Sequence, residues 1–96
     1  MLLGRVVGTV VASRKDEKLE GYKFLVVRRL TIDNEETSDY VVAADAVQAG
    51  LGDVVMYATG SSARQTVLTD RRPCDAVIMA VVDTWEVNGR VRYPKR

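Results

Sequence analysis

Ala76-Val77-Ile78-Met79-Ala80-Val81-Val82-Asp83-Thr84-Trp85-Glu86-Val87 is the stretch on which the fold turns. Read as a strand, it sets Ala76, Ile78, Ala80 and Val82 on one face and Val77, Met79, Val81 and Trp85 on the other, so both faces are apolar. An antiparallel sheet with one wet face alternates cleanly instead. Two other stretches share the habit. Residues 2–12 set Leu2, Gly4, Val6, Gly8, Val10 and Ala12 against Leu3, Val7 and Val11, and Val54, Met56 and Ala58 face away from Val55 and Tyr57. For a chain of 10.6 kDa, size scaling gives roughly 5,500 Å² of folded surface against about 15,400 Å² unfolded, so about 64% is buried. A domain that small lacks the residues to cover both faces of three strands. Identical neighbours are the economical cover, because assembly buries outward valines. The plainer alternative is a doubly apolar strand that runs through a barrel core at a corner and needs no partner.

Outward from this stretch the composition leans to β. Valine is the commonest residue, and Val, Ile and Thr make up about a quarter of the chain, the β-branched bias of strands. The strand candidates are residues 2–12, 22–31, 40–44, 54–59, 76–87 and 90–93. Residues 13–21 read as a charged hairpin loop, and residues 32–39 as a second polar loop turning at Asp33-Asn34. Asn88-Gly89, flanked by Trp85, Val87 and Val91, is the strongest hairpin signal, consistent with a type I′ turn. Helix signals are short: Asp45-Ala46-Val47-Gln48 resembles a capping box stopped by Gly50, and Ser62-Ala63-Arg64-Gln65 repeats it. Neither segment is long enough to be the crossover of a parallel sheet. The expectation is an all-β chain, a small, mostly antiparallel barrel or curled sheet with one or two short helices. Residues 1–96 form one domain, with residues 83–96 as C-terminal strand, hairpin and basic tail.

Charge and side-chain chemistry exclude several functions. Fourteen Lys+Arg against 13 Asp+Glu give a formal net charge of +1, which offers no bulk-charge case for nucleic acid or membranes. One cysteine and no histidine remove disulfide frameworks, imidazole catalysis and nearly every zinc ligand set, so neither cofactor nor metal is expected. No apolar run reaches the roughly 18 residues of a membrane helix, and the N-terminus lacks a signal-peptide plan, so a soluble cytoplasmic domain is the default. Acid–base work would fall to Asp45, Asp53, Asp75 or Asp83. The first three sit at element ends, where capping and turn roles are the rule, while Asp83 lies inside a strand run and calls for an Arg partner. Cys74 has no His to make it a thiolate and reads as a packed small hydrophobe.

Gly60-Ser61-Ser62-Ala63-Arg64 combines a glycine, two hydroxyls, a helix start and an arginine. Such a set can bind an anion through backbone N–H groups. It lacks the plan of a phosphate-binding loop or a dinucleotide turn, and a capped turn, with Ser62 satisfying helix amides and Arg64 paired to a neighbouring carboxylate, explains it as well. The basic clusters Arg28-Arg29, Arg71-Arg72 and Arg90, Arg92, Lys95, Arg96 are interleaved with acids. Tyr22, Phe24, Tyr40, Tyr57, Trp85 and Tyr93 are scattered, not gathered into a stacking platform.

Residues 41–55, Val-Val-Ala-Ala-Asp-Ala-Val-Gln-Ala-Gly-Leu-Gly-Asp-Val-Val, followed by Gly60-Ser61-Ser62-Ala63-Arg64, resemble the two signature segments of the EutN/CcmL family, the pentameric vertex proteins of bacterial microcompartment shells, carboxysomes included. The flanks agree: Gly4-x-Val6-x-Gly8, Leu19-x-Gly21-x-Lys23, and Pro73-x-Asp75-Ala76-Val77-Ile78 leading into Val81-Val82-Asp83. Gln48 stands where the family often has glycine, and the tail after Gly89 is basic and variable. The resemblance implies a five-stranded barrel similar to the oligonucleotide-binding fold, assembled as a cyclic homopentamer that fills the corners of a shell tiled by hexameric and trimeric proteins. It further implies that Ala49, Gly50, Gly52, Asp53, Gly60, Ser61, Ser62, Ala63 and Arg64 lie at the subunit interface or the five-fold axis. Gly50, Gly52 and Gly60 would allow close approach or positive φ at crowded joints. The alternative, from a different class, is a barrel that binds single-stranded nucleic acid or a small anionic ligand. An enzyme has too few catalytic groups to compete.

Overall fold

The computed structural model describes residues 1–67, 69–71 and 74–94. Arg72 and Pro73 of the read motifs, and Lys95 and Arg96 of the basic tail, lie outside them. Strands β1 (Leu2–Val10), β2 (Phe24–Leu30), β3 (Glu36–Asp45), β4 (Val54–Thr59) and β5 (Ala76–Val81) close into a barrel in the order β1-β2-β3-β5-β4. Strands β6 (Trp85–Val87) and β7 (Arg90–Tyr93) form a separate two-stranded sheet. All neighbours in the barrel pair antiparallel except β3 and β5, whose parallel seam holds two register pairs, Ala44↔Val77 and Asp45↔Ile78. The return between them is made by β4 and a 3₁₀ turn at Gly60–Arg64, not by a crossover helix.

Four boundaries differ from the sequence reading, each for a local reason. β3 begins at Glu36, inside the expected polar loop, because Leu30 pairs with Glu36 across a bulge and extends the β2–β3 ladder. The stretch 76–87 breaks at Val82-Asp83-Thr84, so Asp83 lies exposed in a bend and not inside a strand. No helix forms after Asp45: its carboxylate accepts from Val47 N at 3.0 Å and Ala49 N at 3.2 Å in a bend, and Gln48 takes φ 59°. Around Ser62 the short helix is 3₁₀, its N-cap is Thr59 with no side-chain cap bond, and Ser62 caps nothing. The Asn88-Gly89 turn is as read, with φ 53° and 77°, the two positive values a type I′ turn requires.

The core has two parts. Val6, Leu25, Val27, Ala43, Val55, Tyr57 and Ile78 fill the barrel. Outside it, Ala44, Ala58, Ala63, Cys74 and Val77 form a second cluster, with Leu19, Tyr22, Phe24 and Met79 packed on it. This second cluster accounts for much of the doubly apolar pattern, since Ala76, Val77 and Ile78 are all buried. Its cover is the chain's own Gly60–Arg64 turn and the β1–β2 loop, so the partner-free alternative holds for this part of β5. Each of the large apolar side chains so buried contributes about 1.5–3 kcal/mol. Elsewhere the outward valines stay uncovered: Val7, Val10, Val42 and Val81 are exposed.

Candidate functional site

The two signature segments lie at opposite ends of β4, separated by its six residues, about 20 Å of strand. A single chain does not bring them together. At one end the segment is tied down by charge. Lys23 Nζ donates to Ala49 O at 2.8 Å and pairs with Asp45 Oδ2 at 3.6 Å, while Asp45 Oδ1 takes Ala49 N–H. Asp53 Oδ2 accepts from Gly50 N at 2.8 Å, and Asp53 N donates to Gly50 O at 3.1 Å. Gly52 N donates to Val6 O, and Val6 N to Asp53 O, each at 2.9 Å. This lashing to β1 leaves Gly52 at φ 85° on the surface. Both Asp45 and Asp53 are therefore structural acceptors.

At the other end Gly60, at φ 62°, donates its N–H to Asp75 O at 2.8 Å. Arg64 reaches back along the same loop, donating to Cys74 O at 3.3 Å and standing 3.6 Å from Asp75 Oδ1. Ala63 is sealed in the second cluster, and its carbonyl accepts from the buried Thr69 hydroxyl at 2.6 Å. Cys74 is buried, as expected of a packed hydrophobe.

Of the nine residues singled out, Gly52, Gly60, Ser61 and Ser62 are exposed, and Gly50, Asp53 and Arg64 are half-buried. Ala49 and Ala63 are buried within their own chain and present no surface to a neighbour. Gly50 has no positive φ; in its segment the left-handed positions are Gln48 and Gly52. Nothing stands within 4 Å of a Cβ built on Gly52 or Gly60, so neither joint is crowded inside one chain.

The surface that sequence reading placed least well is the outer face of β1–β2–β3. The register sets Gly8 beside Val26 and Val26 beside Val42, with Arg28 beside Tyr40. Val7, Val10, Val42 and Tyr40 are open there, Val42 and Tyr40 by more than half. The alternation in residues 40–44 and the valines of residues 2–12 carried this signal, but which face a loop would cover did not show in sequence.

The basic residues are partnered. Arg28 pairs with Glu36 at 3.0 Å and lies over the Tyr40 ring, Arg29 pairs with Asp39 at 3.3 Å, and Arg92 with Asp33 at 3.3 Å. The aromatics are spoken for as well: Trp85 stacks on Tyr93, and Tyr22 meets Phe24 edge-on. This arrangement gives no groove of unpaired cations lined by free rings, which is what single-strand binding uses. Burial pushes the Tyr57 phenol above its ordinary 10.0, partly opposed by Arg29. Among the described residues no cluster of three or more Cys, Asp or Glu could hold a metal ion, and no helix is long and apolar enough to cross a membrane.

The family model described as ethanolamine utilisation protein EutN/carboxysome matches residues 1–83. The chain is 42% identical over 96 residues to the carboxysome shell vertex protein CcmL of Gloeobacter violaceus, covering 100% of this chain and 96% of that protein. The solved structure of the Gloeobacter protein superposes with a TM-score of 0.93 over 97% of this chain and 96% of that one. A microcompartment shell vertex protein of Rhodospirillum rubrum, GrpN, is 45% identical over 86 residues, 90% of this chain and 97% of that protein. Its structure, described as a pentameric microcompartment shell protein, superposes with a TM-score of 0.83 over 91% of this chain and 99% of that one.

Proposed function

Because the chain belongs to the EutN/CcmL family, we propose that it is a structural shell protein of a bacterial microcompartment, whose pentamers cap the vertices of the polyhedral shell. It is not an enzyme; the relatives are vertex proteins. The observation that carries this reading is the closed barrel of β1–β5, which superposes on a pentameric shell protein along 99% of that chain.

The geometry suits the task. A flat net of six-fold tiles cannot close on itself without five-fold positions. A cyclic pentamer supplies them through one repeated head-to-tail contact, in which a surface of each copy meets a different surface of the next. The barrel is a rigid unit for such a ring, with its sheet closed and no open barrel edges to recruit strands at random. Its place is the shell. Hexameric and trimeric shell proteins are the partners we assign to the outer rim of the ring. Gly52, Asp53, Gly60, Ser61, Ser62 and Arg64 are the surface residues of the signature segments that we place at the contacts between copies or at the five-fold axis. Gly50, half-buried beside Asp53, supports that turn.

Native mass spectrometry of the purified chain tests the ring: an assembly of roughly five times the 10.6 kDa chain mass is expected. A stable monomer at high concentration overturns the vertex reading. Co-assembly with a hexameric shell protein tests the rim. Closed polyhedra in the electron microscope are expected with the pentamer present, and open sheets or tubes without it.

A further inference from the structure

The β6–β7 hairpin stands apart from the barrel. Among the described residues neither hydrophobic cluster contains any side chain beyond Met79. Its attachments are polar and confined to the β2–β3 turn: Trp85 Nε1 donates to Ile32 O at 2.8 Å, Asn34 Nδ2 donates to Arg92 O at 2.8 Å, and Arg92 pairs with Asp33. A two-stranded ribbon is marginal in water without an apolar surface to rest on. At its root lies an open cavity of about 210 Å³ lined by Met1, Leu3, Leu30 and Ile32, with Met1 and Ile32 largely exposed. Val91, on the hairpin itself, is exposed as well.

The molecule is accordingly drawn out, 45 × 24 × 22 Å. It exposes 6308 Å², about 800 Å² more than the roughly 5,500 Å² of a compact chain of its mass. One partner in a standard interface gives up about 800 Å². The chain thus carries two separate uncovered apolar surfaces, the hairpin with its root cavity and the outer β1–β2–β3 face of Val7, Val10, Val42 and Tyr40. A head-to-tail contact needs two different surfaces on one chain.

We propose that the hairpin and its root cavity of one copy clasp the outer β1–β2–β3 face of the next copy. This rests on the ring assigned above and names the two halves of its repeated contact. The hairpin lies beyond the residues matched by the family model, so the arm is a feature of this chain's own C-terminal segment.

The test uses two full-length variants, each blocking one half: Val42→Glu on the barrel face and Val91→Glu on the hairpin. Each alone is expected to lose the pentamer and run as single chains, a fivefold fall in native mass, with its circular dichroism and cooperative melting retained. Mixed in equal amounts, they are expected to form a one-to-one dimer and no ring, because the intact hairpin of the first meets the intact face of the second. Val42→Ala and Val91→Ala are expected to keep the ring. If either glutamate variant fails to fold, Tyr40→Asp or Ile32→Glu takes its place on the same half. Variants that stay pentameric beside a pentameric parent overturn this contact and leave the vertex assignment standing, as does a mixture holding monomers only. A parent chain that is itself monomeric removes both.

Discussion

Gly4 sits where β1 crosses the barrel interior, and a methyl group there would collide with Val27 Cγ1 and crowd the Tyr57 ring. Overfilling of this kind costs typically 1–3 kcal/mol, so Gly4→Ala is expected to lower the denaturation midpoint by about that much, measured by urea unfolding. Its glycine is required by space and not by φ. Gln48 shows the reverse: at φ 59° it occupies the left-handed region, which explains why the family often has glycine at this position. Tyr57 adds a pH dependence. Its phenol is held above 10.0 by burial, so between the unfolded and folded values the unfolded chain has lost a proton that the folded chain keeps. The unfolded state then binds fewer protons, and stability falls as pH rises past about 10. The expected result is a loss of thermal stability above pH 10 that is shallower in Tyr57→Phe; equal slopes in the two proteins refute it.

Among the elements, the strands were legible wherever side-chain chemistry alone decides them. Valine-rich alternation placed β1, β2, β4 and β5, and Asn88-Gly89 placed the β6–β7 turn. What sequence could not carry was long-range pairing: Glu36-Thr37-Ser38-Asp39 looks like loop because it is polar, yet it is strand because β2 lies alongside it. The capping signals failed likewise. Asp45 does bind backbone N–H groups, but Lys23 and Gln48 bend the chain away from helix. The signature segments were recognisable as pattern, while their division into buried Ala49 and Ala63 and exposed Ser61 and Ser62 depends on the second cluster, which only folding assembles. Asn34 governs how the hairpin is held. Buried, at φ 61°, it hooks Arg92 O with its amide nitrogen while its Oδ1 has no partner. Losing that bond costs about 0.5–1.5 kcal/mol. Asn34→Gly keeps the backbone conformation and removes the hook. Faster amide exchange in residues 85–93 is expected, with exchange in β1–β5 unchanged. A uniform change across the chain refutes the local role.

For the whole molecule, uncovered valine and tyrosine on β1–β3 make stability a collective property. Anything that binds the folded form stabilises it by mass action, and here the binder is another copy. The melting temperature is therefore expected to climb with protein concentration in scanning calorimetry, and to become independent of it in Val42→Glu; a parent midpoint that never moves with dilution refutes this. The barrel's closure adds a different consequence. Only Ala44↔Val77 and Asp45↔Ile78 join β3 to β5, and both flank the cluster that the Gly60–Arg64 turn covers. A cylinder zipped along so short a line gives way there first. A newly made chain waiting for neighbours can swing open like a door on β2 and expose greasy interior, so its survival becomes a race between finding its ring and sticking to whatever else is near.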